Sequence, residues 1–194
     1  MREAYHTALA DGRQEPVAPC DRWEGDGCEA FVHDFLSGPL PKAYDRCDLL
    51  WAEPPWPAGF HRFEDRAGIN GDHGVRTWQM LLTHLEEVRQ GTPKAFILNR
   101  SKHRWLPRPD QIVPSRLNGH HCTIWCYGLA LNGNTPKDSK AVLETLTATY
   151  NVVGDPMCGY GRAGRVFKGA GKRFVMSDYN PHCIGYVAAH APSW

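Results

Sequence analysis

The sequence predicts an α/β domain: a mostly parallel sheet with helices on both faces. Three stretches carry that expectation. Val152-Val-Gly-Asp-Pro-Met-Cys-Gly-Tyr-Gly161 reads as a buried strand running into a glycine-rich turn. After a helix-length interval, Arg173-Phe-Val-Met-Ser-Asp-Tyr-Asn-Pro181 reads as a second strand that ends in an acid. Upstream, Asp48-Leu-Leu-Trp-Ala-Glu-Pro-Pro-Trp56 is a strand that meets a rigid Pro-Pro-aromatic corner. Strands alternating with helices build parallel sheets that are covered on both sides.

The remaining elements follow from periodicity and breakers. Residues 1–21 are polar and proline-bearing, and read as a loosely held arm before a single domain over 22–194. Asp26 to Leu36 mixes a turn with apolar Phe31, Val32, Phe35 and Leu36, which predicts a short amphipathic helix ended by Gly38-Pro-Leu-Pro41. Residues 57–74 read as a loop. Val75, Trp78, Leu81, Leu82, Leu85 and Val88 fall at helical spacing, closed by Gly91 and Pro93. Ala95–Leu98 is a short apolar strand, Asn99 to Gly119 a long basic loop, and His121 to Leu131 another strand. Asp138 or Ser139 caps a helix with Val142, Leu143, Leu146 and Tyr150 on its apolar face.

Bulk properties exclude several classes. The chain has 194 residues, with 22 Lys and Arg against 21 Asp and Glu, a formal charge of +1. No global basicity announces nucleic acid, so any polyanion site depends on local clustering. No apolar run approaches the ~18–20 residues of a membrane span. The first residues, Met1 to His6, lack the apolar core of a secretion signal. Seven cysteines, an odd number without framework spacing, suggest reduced thiols and a cytoplasmic setting.

The glycine turn points to a nucleoside-bearing cofactor. Gly159 and Gly161 let backbone pass close to a ligand because no Cβ intervenes. Asp155 stands at the carboxyl end of its strand, where open α/β sheets bind ligands, and Asp178 is placed for ribose hydroxyls. An acid just before the turn would repel a pyrophosphate. A zwitterionic, phosphate-free cofactor fits better, which favours S-adenosylmethionine over a nicotinamide.

Asp155-Pro-Met-Cys-Gly-Tyr-Gly161 together with Gly171 to Pro181 resembles the cofactor motif of amino-directed DNA methyltransferases, and Glu53-Pro-Pro-Trp56 resembles their Asp-Pro-Pro-Tyr/Trp catalytic motif. The order, catalytic motif first, resembles the circularly permuted β-class; the tract from Gly25-Asp26 to Trp56 is similar to that class's opening. The resemblance covers about residues 24–190. It implies a Rossmann-like methyltransferase fold and a cofactor site of Asp26, Asp155, Pro156, Met157, Cys158, Gly159, Gly161, Asp178, Tyr179 and Asn180. It implies a catalytic corner of Glu53, Pro54, Pro55 and Trp56. The sequence departs from the family at Glu53, where Asp or Ser is usual.

An exocyclic amine on a base is a weak nucleophile. A carboxylate and a rigid backbone carbonyl would accept its two N–H groups, while an aromatic face stacks on a base taken out of its helix. Glu53, the Pro54 carbonyl and Trp56 suit these tasks. Arg62, Arg100, Lys102, His103, Arg104, Trp105, Arg108 and Arg116 supply basic and aromatic groups for nucleic acid. The implied substrate is adenine N6 in DNA, with cytosine N4 or RNA adenine open, and the implied state is monomer or homodimer without a separate recognition domain. Such compactness suits a phage or mobile element. A degenerate module that binds nucleic acid or a partner protein is the competing reading. No metal site is expected: Cys122, Cys126 and the neighbouring His120-His121 read as core thiols and strand-end histidines rather than zinc ligands.

Overall fold

The computed structural model describes residues 17–34, 40–54, 91–98, 106–117, 120–131 and 138–194. The expected helix at 75–88 and the loop at 57–74 lie outside them. Eight strands form one sheet: β1 (Arg22–Gly25), β2 (Cys28–Val32), β3 (Leu49–Ala52), β4 (Lys94–Leu98), β5 (Gln111–Leu117), β6 (His120–Tyr127), β7 (Val152–Asp155) and β8 (Arg173–Asp178). Their spatial order is β1-β2-β8-β7-β3-β4-β6-β5. The central strands from β2 through β4 pair in parallel. An antiparallel hairpin closes one side, and β6 with β5 close the other.

Alternation along the strands divides the core. Ala30, Leu49, Trp51, Ala95, Ile97, Val153, Phe174 and Met176 join one buried cluster with α1 (Ser139–Leu146), α2 (Arg162–Gly169) and α3 (Pro181–His190). The intervening residues face the other way. Phe31, Leu50, Val152 and Val175 gather around Tyr44, which a 3-10 turn over Lys42–Arg46 inserts, and Phe96 and Leu98 gather with Leu106 and Trp125. The central strands are apolar at nearly every position because both faces are covered. Among the described residues, all three α-helices lie on the first face.

Four sequence expectations are corrected. Residues 28–32 form β2 and not a helix. Asp26-Gly27 turns a two-residue hairpin with positive φ at both residues (52° and 72°), so that Gly25 pairs with Cys28. That Asp-Gly pair is the stronger local signal, whereas so short a run, four apolar residues interrupted by Glu29, suits either period. Residues 111–117 form β5 inside the expected long loop. Pro114 disguised this strand, but at the sheet's outer position a proline costs no ladder bond. The last residues of the expected loose arm are held: the Cys20 N–H donates to the Pro181 carbonyl (3.0 Å), and the Val32 N–H to that of Asp21 (2.8 Å). The helix at 139 ends at Leu146, short of Tyr150, with Asp138 as its cap.

Register between β3 and β7 is set at their amino ends. The Asp48 carboxylate accepts the N–H groups of Asn151 (2.8 Å) and Val152 (2.9 Å), and the Asp48 N–H donates to the Val152 carbonyl (3.1 Å). Leu49 and Leu50 then lie level with Val153 and Gly154. Hydrogen bonds to a charged acceptor contribute about 1.5–3 kcal/mol. Asp48→Ala is therefore expected to lower unfolding free energy by about 2 kcal/mol in a urea titration, with Asp48→Asn intermediate.

Candidate active site

The site forms where the chain's direction of travel across the sheet reverses. From β7 the chain moves on to β8 on one side; β4, which follows β3, lies on the other; β7 and β3 are themselves neighbours. Open α/β sheets bind ligands at such a point, beyond the carboxyl ends of the strands. Glu53 follows β3 directly, Asp155 ends β7 and Asp178 ends β8. Each continues the alternation of a residue that faces the helices: Trp51, Val153 and Met176. Three acids thus reach one edge on one face.

Each acid has donors. Fully buried Trp51 donates its Nε1–H to Glu53 Oε1 at 3.2 Å. Asp155 Oδ1 accepts the Met157 N–H at 3.2 Å. The oxygens of Asp178 accept the N–H groups of Gly159 and Asn180, each at 2.9 Å, tying the glycine turn to the end of β8. The Cys158 N–H adds a bond to the Ser177 carbonyl (3.0 Å). From the opposite face, the Tyr44 hydroxyl reaches the Asp155 carbonyl (3.1 Å) and Ser177 Oγ (2.8 Å). Asn180 caps α3 by accepting the His182 N–H at 3.0 Å.

The turn's glycines do different work. Gly159 has φ 51°, and a Cβ added there would meet no protein atom within 4 Å. Among the described residues it leaves open space beside the backbone, where no side chain would bar a close approach. Gly161 has φ 76°, and a Cβ would lie 2.5 Å from the Trp194 ring; at Gly164 it would lie 2.5 Å from Met176 Cε. These two let α2 close upon β8 and the terminal residues. Gly159-Tyr-Gly-Arg-Ala-Gly164 has Gly-x-Gly-x-x-Gly spacing, so Gly164 was available in the sequence as a packing glycine of the motif.

Crowding governs the charges. Burial raises the Glu53 carboxyl above its usual range, while the Arg162 charge and the Trp51 hydrogen bond draw it down and Asp138 raises it. Burial, then the Glu53 charge, push Asp155 well above the usual range; Met157 N–H and Arg162 oppose, and Asp178 adds to the rise. Burial lifts Asp178 to about 6 against the hydrogen bonds from Asn180 and Gly159. Glu53 is thus near enough to Asp155 for the two strand ends to sense each other's charge. Among the described residues Arg162, absent from the sequence expectations, is the cation that acts on both.

The structure gathers Glu53, buried Pro54, Asp155, Pro156, Met157, Cys158, Gly159, Gly161, Asp178, Tyr179 and Asn180 at this edge. Pro55, Trp56, Arg62, Arg100, Lys102, His103, Arg104 and Trp105 lie outside the described residues. Asp26 does not belong to the site. It sits in the β1–β2 turn, at the amino end of the parallel β2/β8 pair, and bonds Lys168 Nζ at 2.7 Å. Arg116 does reach the rim: exposed, it pairs with His121 at the end of β5, where β6 runs alongside the carboxyl end of β4. Arg108 does not reach it. Pro107 bonds the Tyr127 hydroxyl and Asp110 bonds the Gly128 N–H, which places this segment toward the far end of β6. All seven cysteines are free thiols, and six are buried.

Neither a family model nor a curated protein matches the sequence. Solved structures do. The crystal structure of M1.HpyAVI superposes with a TM-score of 0.53 at 10% identity, over 85% of this chain and 98% of that one. The M1.HpyAVI–SAM complex gives 0.47 at 11% identity, over 82% and 96%. A Thermus thermophilus protein, provisionally described as a DNA modification methylase, gives 0.48 at 12% identity, over 85% and 96%. The chain shares the fold of M1.HpyAVI.

The folded Asp178 carboxyl holds its proton more tightly than the unfolded one, so the stability it contributes is present below about pH 4 and lost as pH rises through about 6. In an NMR titration, the amides of Gly159 and Asn180 should shift together with a midpoint near 6. Midpoints that differ between them would contradict this shared acceptor.

Proposed function

We propose that this chain is an S-adenosylmethionine-dependent methyltransferase acting on the exocyclic amine of a nucleobase, adenine N6 in DNA first. The observation that carries the reading is the meeting of Glu53-Pro54 with the Asp155–Gly161 turn at the β3/β7 reversal. In this reading the acid corner precedes the cofactor turn in the chain, a permuted order. M1.HpyAVI, whose fold this chain shares, has been crystallised with SAM.

The residues fit that cofactor. Two buried acids, Asp155 and Asp178, suit a ligand that carries positive charge and lacks phosphates, and the open space at Gly159 gives it backbone to lie against. Asp178 would take the ribose hydroxyls; Asp155 and the turn from Pro156 to Gly161 would hold the amino-acid end, with Tyr179 and Asn180 alongside. When bound, the cofactor supplies a methyl group already activated on a sulfonium. The protein's part is alignment. The Glu53 carboxylate accepts one N–H of the base amine and takes up the proton released, and the Pro54 carbonyl accepts the other. Pro55 stiffens the corner and Trp56 stacks on the base. A base in a duplex must be flipped out to reach this crevice. Arg116 at the rim contacts phosphate, together with the basic residues 100–105 and Arg62.

Nucleoside mass spectrometry after incubation with DNA, RNA and S-adenosylmethionine tests the reading: N6-methyladenine from DNA is expected. Cofactor binding with no methylated base would leave a binding module instead. Glu53→Ala should reduce transfer by at least ~100-fold, the scale of ~1 Å misplacement at a reacting centre, while calorimetry finds cofactor affinity nearly unchanged. Gly159→Ala should do the opposite, losing cofactor affinity by ~10-fold or more at a stability cost of about 1–2 kcal/mol for the positive φ.

A further inference from the structure

We propose that Arg165 is a positioning residue for the glycine turn: it ties together Tyr186 and Trp194, the rings against which Tyr160 and Gly161 lie, and so sets the affinity for S-adenosylmethionine. The inference deepens the methyl-transfer reading and rests on it for the identity of the ligand.

The turn offers the rest of the protein little to grip. The Gly161 N–H donates to the Cys158 carbonyl at 2.8 Å, which closes a reverse turn with Gly159 and Tyr160 at its crest. Gly159 and Gly161 both have positive φ, 51° and 76°. Glycine enters that conformation readily and leaves it as readily. Tyr160, between them, is the side chain by which the crest is held. Its ring meets that of Tyr186 on α3 edge-on, with centroids 5.2 Å apart and planes at 72°. Gly161 is held by contact with its α-carbon: a Cβ there would stand 2.5 Å from the Trp194 ring.

Arg165 lies in the first turn of α2, and its N–H donates to the Gly161 carbonyl at 2.9 Å. Its side chain is exposed and reaches both rings. Nη2 donates to the Tyr186 hydroxyl at 3.1 Å, and Cζ stands 5.4 Å from the centroid of the Trp194 ring. Each ring is also fixed elsewhere. His190 stacks on Tyr186 at 4.0 Å, with its Nδ1 2.8 Å from the Tyr186 carbonyl, and Phe174 of β8 lies 5.9 Å from Trp194. Among the described residues, Arg165 is the cation that contacts both rings. Two successive residues of the turn are thus backed by two aromatics, and one guanidinium joins those aromatics. A turn held in shape before the ligand arrives spares binding the entropy of ordering it.

The test replaces Arg165 by methionine, which keeps a stem and deletes the planar fork. Arg165→Lys keeps the charge and loses the fork. In amide hydrogen exchange on the ligand-free protein, Gly161 should exchange about tenfold faster in Arg165→Met, the combined scale of an exposed cation–π contact and a hydrogen bond. The amides of Phe174 and Val175 in β8 should not change, and Arg165→Lys should fall between. Calorimetry with S-adenosylmethionine should give a Kd raised about fivefold, as the fraction of chains holding the turn falls. In methyl transfer, KM for the cofactor should rise more than kcat falls. Tyr186→Phe, which removes the hydroxyl alone, should show smaller changes of the same kind, and it serves if Arg165→Met does not fold. Unchanged Gly161 exchange overturns the proposal, and so does faster exchange spread equally through β8, which general loss of packing would give. Faster Gly161 exchange with an unchanged Kd overturns it as well. A wild type that binds no S-adenosylmethionine sinks the methyl-transfer reading, and the brace is then judged on Gly161 exchange alone.

Discussion

The site depends on the lateral join between β3 and β7. These strands are far apart in the chain, and only their pairing brings Glu53 level with the glycine turn. The Asp48 carboxylate makes the join at one end by accepting two N–H groups at the start of β7. At the other end, Tyr44 reaches through from the opposite face to the Asp155 carbonyl. A slip of one residue would send Glu53 to the other face, because side chains alternate with a period of two. Register here is therefore a condition of chemistry as well as of stability.

The second organising fact is electrostatic. A chain of near-zero net charge concentrates three acids at one sheet edge and gives them one described cation, Arg162, acting on two of them. Burial raises all three carboxyls, and a cationic ligand would relieve that strain on binding. Backbone N–H groups do most of the remaining work of holding the acids, which is why the glycine turn and the acids behave as one structure. Tyr44 and Ser177 contribute from beneath without reaching the crevice edge themselves.

How much of this was legible in the sequence varies with the physics of each element. The β7–turn–α2–β8 unit was read correctly because glycine spacing and strand-end acids are local signals. Asp155, Gly159 and Asp178 stand where they were expected. Residues 28–32 were misread because four apolar residues around Glu29 carry too little periodicity, and the Asp-Gly turn beside them was underweighted. Residues 111–117 were misread because a proline and charged neighbours look like loop until the strand is known to be outermost. Asp26 was misplaced because a motif resemblance says nothing about which end of a strand a residue occupies. Arg162 was missed for a deeper reason: its charge falls on Glu53 and Asp155 only once the chain is folded, and no short stretch of sequence contains all three.

The edges of the sheet carry one more consequence. β5 is outermost on its side, and Pro114 within it offers no N–H to a newcomer, while the opposite edge, β1, is only four residues long. Neither border is a good template for another chain to extend, so the sheet discourages stacking end to end into larger ribbons. Among the described residues the approach left open lies over the carboxyl tips of the strands, where the acids and the glycine turn meet.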